Sequence, residues 1–432
     1  MDFMELPQAP RLRLTNLRAP GCLLGEGGAG DLVSLDLTIE DGRIVEPGAA
    51  GADAADMPEI DMGGRLVFPG FVDAHTHIDK GHIWPRSPNP DGTFMGALNT
   101  VGADRVASWS AEDVRRRADF ALRCAWAHGT KALRTHLDSS APQEDISWPV
   151  FAELREDWAG CIDLQAVCLV GGDYVDDTPQ WRHLAQVVKD TGGVLGTVTY
   201  PIPDLDRRLD IFFETAGNLG LDADFHTDET MDPSSATLRQ IAQAVKRTGF
   251  QGQVNCGHCC SLSTQDEAEA LATLDLCAEA GLAITSLPMC NMYLQDRHAG
   301  RTPRNRGVTL VHEARERGIE VIFASDNTRD PFYAYGDLDM IEVMREATRI
   351  CHLDHGRHDW TRAFLTAPAS VCGFEAPSLA PGAPADLVIC RARSWTELFA
   401  RPQHDRIVLR AGRAIDRTPP DYAELDDLME HA

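Results

Sequence analysis

From about residue 66 onward, short apolar runs alternate with amphipathic stretches. The runs predict strands over 66–72, 130–135, 161–169, 194–199, 221–225, 253–256, 282–286 and 320–324. Helical periodicity recurs between them, over 111–128, 179–191, 234–248, 264–280 and 308–317. Short apolar strands alternating with helices predict parallel strands buried on both faces. Eight such strands are the number needed for a closed (β/α)8 TIM barrel. An open doubly wound sheet is the competing arrangement, but no GxGxxG turn follows the first strand.

The two ends carry a different pattern. LRLTNL, LVSLDLTIEDGRIV, ADLVICRA and RIVLRAGRAI alternate with a period of two and are punctuated by Gly and Pro. They predict a small β-sandwich built from both termini. The expected division is therefore 1–65 (first part of the sandwich), 66–375 (barrel) and 376–432 (rest of the sandwich, with an acidic tail). The linker AAGADAADMPEID is small and polar, and the tail DYAELDDLMEHA is expected to be mobile or dependent on a partner.

Composition narrows the function classes. Hydrophobic residues make up 43% of the 432-residue chain, enough for a large core and too many for a disordered protein. The net charge of −26 repels phosphate backbones and anionic lipid, which argues against nucleic-acid or membrane-surface partners. No apolar run reaches the ~18–20 residues of a membrane span. MDFMELPQAPRLRL lacks the basic and apolar regions of a secretory signal. Twelve scattered cysteines read as free thiols of a cytoplasmic enzyme.

The densest chemistry lies at the predicted strand ends. His75-Thr76-His77 follows the run LVFPGFVDA, and residues i and i+2 of a strand share one face, ~6.6–7 Å apart. His226 follows strand five, His258 strand six and Asp326 strand eight. In this fold the functional face carries the C-terminal strand ends. His75, His77, His226 and Asp326 make an N3O set suited to one divalent ion, Zn²⁺ or Fe²⁺, with a position left for water. Glu229, three residues beyond His226, is placed to move protons onto a substrate nitrogen.

FPGFVDAHTHIDK, FHTDE, GHCC and IFASDNTRDPFYAYGDLDM resemble the amidohydrolase superfamily, in its cytosine deaminase-like branch, which includes N-isopropylammelide amidohydrolase. The resemblance extends over the whole chain. It implies a mononuclear metal on His75, His77, His226 and Asp326, with Asp326 also taking a proton from the attacking water. It implies further that His258 polarises the nucleophile and that Glu229 protonates the ring nitrogen. GTVTYPIPD has Tyr200 where a bridging lysine would end strand four, which disfavours a binuclear centre. A glutamine that binds cytosine in the branch is matched by Gly171, and a carboxylate by Asn327. Phe332 matches an aromatic pocket position. Loss of the glutamine opens volume for a bicyclic ring such as a pterin.

The function so expected is a deaminase of a cytosine-like N-heterocycle or a larger relative, releasing ammonia and working as a homo-oligomer. The alternative on the same site is hydrolysis of an N-alkylamino triazine or a cyclic amide. A catalytically inactive ligand-binding barrel is the alternative from another class. Other features carry two readings each. Cys256 and Cys259 are a zinc knuckle or buried thiols, and His136 with Asp138 supports the site or pairs in the core. Lys80 and Trp84 line the substrate mouth or belong to a solvated loop. The polar, Arg-rich stretch 291–307 is read as a mobile lid or a subunit contact.

Overall fold

The computed structural model describes residues 4, 6–7, 9–25, 30–46, 57–355 and 358–430. Most of the expected linker at 49–61 lies outside them. Strands β1 (Arg11–Pro20), β2 (Leu32–Glu40), β3 (Arg43–Val45) and β4 (Glu59–Pro69) come first. Then follow β5 (Phe71–Thr76), α1 (Phe94–Ser108), α2 (Ala111–His128), β6 (Thr130–Asp138), α3 (Glu144–Asp157), β7 (Asp163–Leu169) and α4 (Pro179–Asp190). The alternation continues with β8 (Leu195–Thr199), α5 (Leu205–Leu219), β9 (Ala223–Thr227), α6 (Thr237–Thr248), β10 (Val254–His258) and α7 (Glu267–Glu279). It ends with β11 (Ala283–Ser286), α8 (Pro288–Leu294), α9 (Val311–Glu316) and β12 (Glu320–Phe323). β13 (Leu387–Cys390), β14 (Ile407–Arg410) and β15 (Arg413–Ala414) lie near the C-terminus.

The chain divides into two compact units. One comprises Met1–Val72, Arg123–Ala132 and Asp339–Pro419, and the other Asp73–Leu122, Leu133–Leu338 and Pro420–Ala432. Against the expected division, residues 339–375 group with the first unit and the tail with the second. The first unit holds a seven-stranded sheet in the order β15-β14-β13-β4-β1-β2-β3. Leu12, Leu14, Leu37, Ile39, Leu387 and Ile389 fill its core, the i, i+2 positions that the alternating pattern assigned to one face. Strands from both ends thus join as expected, but in a single mixed sheet. The expected sandwich is not confirmed, since no second sheet facing this one is assigned among the described residues.

In the second unit, β8 to β12 form a five-stranded sheet in which every neighbouring pair is parallel. β5, β6 and β7 form a three-stranded sheet. Parallel bridges Val167–Val194 and Gly171–Val198 join β7 to β8, and Thr76–Asp326 joins the end of β5 to the segment leaving β12. This is an α/β fold with parallel sheets, consistent with a (β/α)8 barrel. All five residues of β9 and of β10 are buried, as strands covered on both faces require. On α6, Leu238, Ile241, Ala242 and Val245 bury one face at i, i+3, i+4 and i+7, and Gly249 ends the helix with φ +67°.

Several boundaries correct the sequence expectation. The run at 66–72 is two strands parted at Gly70, where the Pro69-Gly70 pair punctuates the apolar stretch. A Cβ at Gly70 would meet Lys131 Cβ at 2.7 Å, so the break is a place of close backbone approach. β9 and β10 run two residues further than expected. His226 and His258 therefore lie inside their strands, where polar ligand residues interrupt the apolar pattern. The tail is folded rather than free: Asp421 and Glu424 form a capping box, and Arg116 binds both oxygens of Asp427 at 2.6 and 2.7 Å. Tyr422 stacks on Phe120 at 5.5 Å. Among the described residues, no helix is long and apolar enough to cross a membrane.

Candidate metal centre

His75 and His77 leave one face of β5, His226 comes from β9 and Asp326 follows β12, and all four are buried. His77 Nε2 is 3.2 Å from His226 Nε2 and 3.3 Å from Asp326 Oδ1, while His75 Nε2 is 3.5 Å from the same oxygen. Four donors placed tetrahedrally at ~2.0–2.1 Å from one ion stand roughly 3.3 Å apart, as these three pairs do. A mutual spacing within 4.8 Å joins the donor atoms of His75, His77 and His226 with His136, and that of Asp326 with His75 and His258. Neither nitrogen of His75 nor Asp326 Oδ1 has a hydrogen-bond partner. A buried polar atom left so costs ~1–3 kcal/mol, and several in one place make sense when a cation satisfies them. The donors therefore fit a divalent metal.

Electrostatics agree. Burial, then the neighbouring imidazoles and Lys80, hold His75, His77 and His226 well below the usual imidazole range, so they present neutral nitrogens. Burial raises Asp326 to about 7, and a bound cation is what would favour its ionised form. The backbone at Asp326 has φ +68° and at His258 φ +67°, a region that residues with a side chain seldom occupy. Asp326 is held there by its N–H, which donates to the carbonyl of His75 at 2.9 Å.

His258 and Glu229 flank these donors. Asn291 Nδ2 donates to His258 Nδ1 at 2.9 Å and lies 3.4 Å from Glu229 Oε1. With Nδ1 accepting, a neutral His258 carries its proton on Nε2, a buried atom with no partner in the chain. Burial and then His136 lower His258 to about 3, so it is neutral. Burial, followed by the Asp326 charge, raises Glu229 well above the usual carboxylic range. The segment leading to Glu229 is pinned by Asp228, which accepts from Ser235 Oγ (2.6 Å), Thr237 Oγ1 (2.7 Å) and Leu238 N (3.0 Å) at the start of α6.

A cavity of about 780 Å³ opens onto the centre and is lined by Gly171, Asn327 and Phe332, the three expected pocket residues. Two of them differ from expectation in detail. The space beside Gly171 is not vacant: a Cβ there would meet Asp173 Oδ1 at 2.5 Å, and Tyr200 OH donates to that oxygen at 2.8 Å. The amide of Asn327 is already engaged, donating to Asp330 Oδ2 at 2.7 Å and accepting from Cys290 Sγ at 3.5 Å. Phe332 lies 5.3 Å from Lys80 Nζ. Lys80 is buried, lines the cavity and pairs with Asp138 at 3.3 Å, whereas Trp84 is half-buried and does not line it.

The sequence reading left His136 open and missed Asp224 and the place of Asn291. His136 offers a ring nitrogen within 4.8 Å of those of His75, His77 and His226. Its Nε2 meets Asp224 Oδ1 at 3.1 Å, and Asp224 also accepts from Arg134 and Asn255. The RTHLD run offered the only signal, and it left support and core pairing equal. Asn291 was assigned to a lid or subunit contact, but it is buried on α8 against His258. Cys256 and Cys259 are buried free thiols, and neither belongs to a potential metal group among the described residues.

Comparison with known proteins follows from this geometry. Residues 183–415 match the family model described as amidohydrolase family. The pterin deaminase of Rhizobium rhizogenes (strain K84) is 52% identical, over 99% of this chain and 99% of that one. The N-isopropylammelide isopropyl amidohydrolase of Pseudomonas sp. (strain ADP) is 24% identical over 83% of this chain and 87% of that one. The solved structure of 5-methylcytosine deaminase from Klebsiella pneumoniae with 5-fluorocytosine superposes with a TM-score of 0.78. It is 26% identical and covers 95% of this chain and 98% of that one.

Proposed function

The chain belongs to the amidohydrolase family, and from that premise we propose that it is a metal-dependent deaminase of an aminated bicyclic N-heterocycle of the pterin class. The observation that carries the reading is the convergence of three imidazoles and a carboxylate beside Glu229, which burial raises well above the usual carboxylic range. In this reading His75, His77, His226 and Asp326 hold one Zn²⁺ or Fe²⁺. Such an ion supplies Lewis acidity that makes a water nucleophilic near neutral pH.

The chain's own groups supply the rest. Asp326 accepts a proton from the attacking water. His258, neutral and donating from Nε2, orients the oxygen that adds to the amidine carbon. Glu229 gives its proton to the adjacent ring nitrogen, which stabilises the tetrahedral carbon as it forms. A proton delivered to the amino group then lets the C–N bond break, so that water and the amine exchange for a carbonyl and ammonia. Gly171, Asn327 and Phe332 border the ring, with Phe332 stacking on it. The unit that holds β8 to β12 is read as the catalytic one, in a cytoplasmic homo-oligomer.

The 24% identity with an N-isopropylammelide hydrolase favours a second reading, in which an N-alkylamine leaves a triazine from the same site. Incubation of metal-replete protein with pterin, cytosine and N-isopropylammelide separates the two. Ammonia from pterin, with little from cytosine, is the expected result. Isopropylamine release in preference to ammonia overturns it in favour of the second reading.

A further inference from the structure

The cavity is larger than a bare bicyclic ring needs. Pockets of roughly 300–1,000 Å³ hold drug-sized molecules, and a pterin has only about a dozen non-hydrogen atoms, whereas this cavity is about 780 Å³. One side of it is a helix face. Phe94, Leu98, Val101 and Arg105 recur on α1 at i, i+4, i+7 and i+11, and with Met95 they line the cavity. Met95 is 57% and Leu98 47% exposed, while His226 and His258 in the same cavity are buried. Met95 and Leu98 therefore stand at the solvent end and the imidazoles at the deep end, while Val101 is buried and Arg105 pairs with Asp138 at 3.1 Å. Single exposed apolar residues need no explanation, but adjoining apolar side chains continuous with a reaction site mark contact with a ligand.

Resting on the deaminase reading, we propose that the substrate ring carries an apolar side chain that lies along Met95 and Leu98 of α1. The reacting amidine is then held deep, beside Glu229, and the substituent fills the outer half of the cavity. Both side chains line the same cavity as Glu229, so a substituent on a ring bound there is carried to them by the position of the ring itself. The stripe thus reads as a specificity wall: it discriminates among rings that the deep end accepts equally.

The test compares pterin with 6-propylpterin and 7-propylpterin as substrates. It also compares the corresponding deaminated products, which bind without being consumed, by calorimetry. At least one propyl isomer is expected to exceed the bare ring about tenfold or more in kcat/KM and in product affinity, since single methylenes in apolar pockets are worth ~10-fold or more. Leu98→Asp should bring that ratio toward one, while Val106→Asp, on an 87% exposed residue of α1 outside the cavity, should leave it unchanged. A bare ring that matches both isomers overturns the proposal, as does a ratio insensitive to Leu98→Asp. If Leu98→Asp instead alters the oligomeric state with the ratio intact, a second copy of the chain covers the wall. Absence of ammonia with a retained binding preference would sink the deaminase reading alone.

Discussion

Replacing Glu229 by glutamine isolates the proton. The side chain is only 10% exposed, and its Oε1 lies 3.4 Å from Asn291 Nδ2 and 3.5 Å from His258 Nδ1. Glutamine has the same shape, its amide oxygen accepts from Asn291 as the carboxyl does, and none of the metal donors is altered. What disappears is a carboxyl that burial and the nearby Asp326 charge raise above the usual carboxylic range. General acid–base catalysis is worth roughly 10²–10⁴-fold, or ~2.7–5.4 kcal/mol of barrier at 1.36 kcal/mol per decade. Steady-state ammonia release from Glu229→Gln, with metal content measured on the same sample, should show kcat reduced by at least about 10²-fold at unchanged stoichiometry. The pH profile gives a second check. A raised carboxyl is in its acid form below its own pKa, so wild-type activity falls as pH rises through that value. The variant should lack this limb. A metal-loaded Glu229→Gln protein working within about tenfold of wild type would refute the role.

Three further outcomes are expected. Purified protein should hold about one Zn²⁺ or Fe²⁺ per chain, measured by plasma emission, and a stoichiometry near two would rule out the mononuclear centre. Asn291→Leu should lower kcat by about 5–150-fold with metal retained, because a buried Nδ1 of His258 left without a donor costs ~1–3 kcal/mol; unchanged kcat would remove Asn291 from the site. In the first unit, Arg406 Nη1 donates to Asp339 at 2.7 Å, and Asp339 is depressed despite burial by the charges of Arg406 and His128. Arg406→Met should therefore cost ~3–5 kcal/mol in denaturant unfolding at pH 7. A depressed carboxyl contributes stability above its unfolded pKa and loses it as pH falls, so the gap should narrow below about pH 4. A gap independent of pH would count against the pair.

Much of the site was readable because its donors sit where the fold puts chemistry, at strand ends marked by polar residues breaking an apolar run. His75, His77, His226, His258 and Asp326 were picked out that way, and Glu229 by its place three residues after His226. Other residues carried no local mark. Asn291 sits in a polar, arginine-rich stretch whose first turn happens to fold as α8 against His258, and only the tertiary arrangement distinguishes it from a loop amide. The space beside Gly171 was read as open, yet it is taken by Asp173 from two residues on, held by Tyr200 from another strand end. At the other end of the chain, the acidic tail looked free because its partners, Arg116 and Phe120, lie some three hundred residues away. The sheet of the first unit had legible strands and illegible partners, since alternation assigns a face but no neighbour.

The bridge between Thr76 and Asp326 forms a seam between the two parallel sheets, where the end of β5 meets the segment leaving β12. Two of the imidazoles stand on one lip of that seam and the carboxylate stands on the other. An ion spanning them would act as a clasp, so that the resistance of this joint to opening would depend on the free metal concentration of the surroundings, rising with its logarithm once it exceeds the dissociation constant. Amides around 75–77 and 324–327 would then exchange with solvent sooner than the rest of the barrel whenever the ion is withdrawn. Starvation for metal would reach this protein first as local loosening at one joint, before any loss of the fold as a whole.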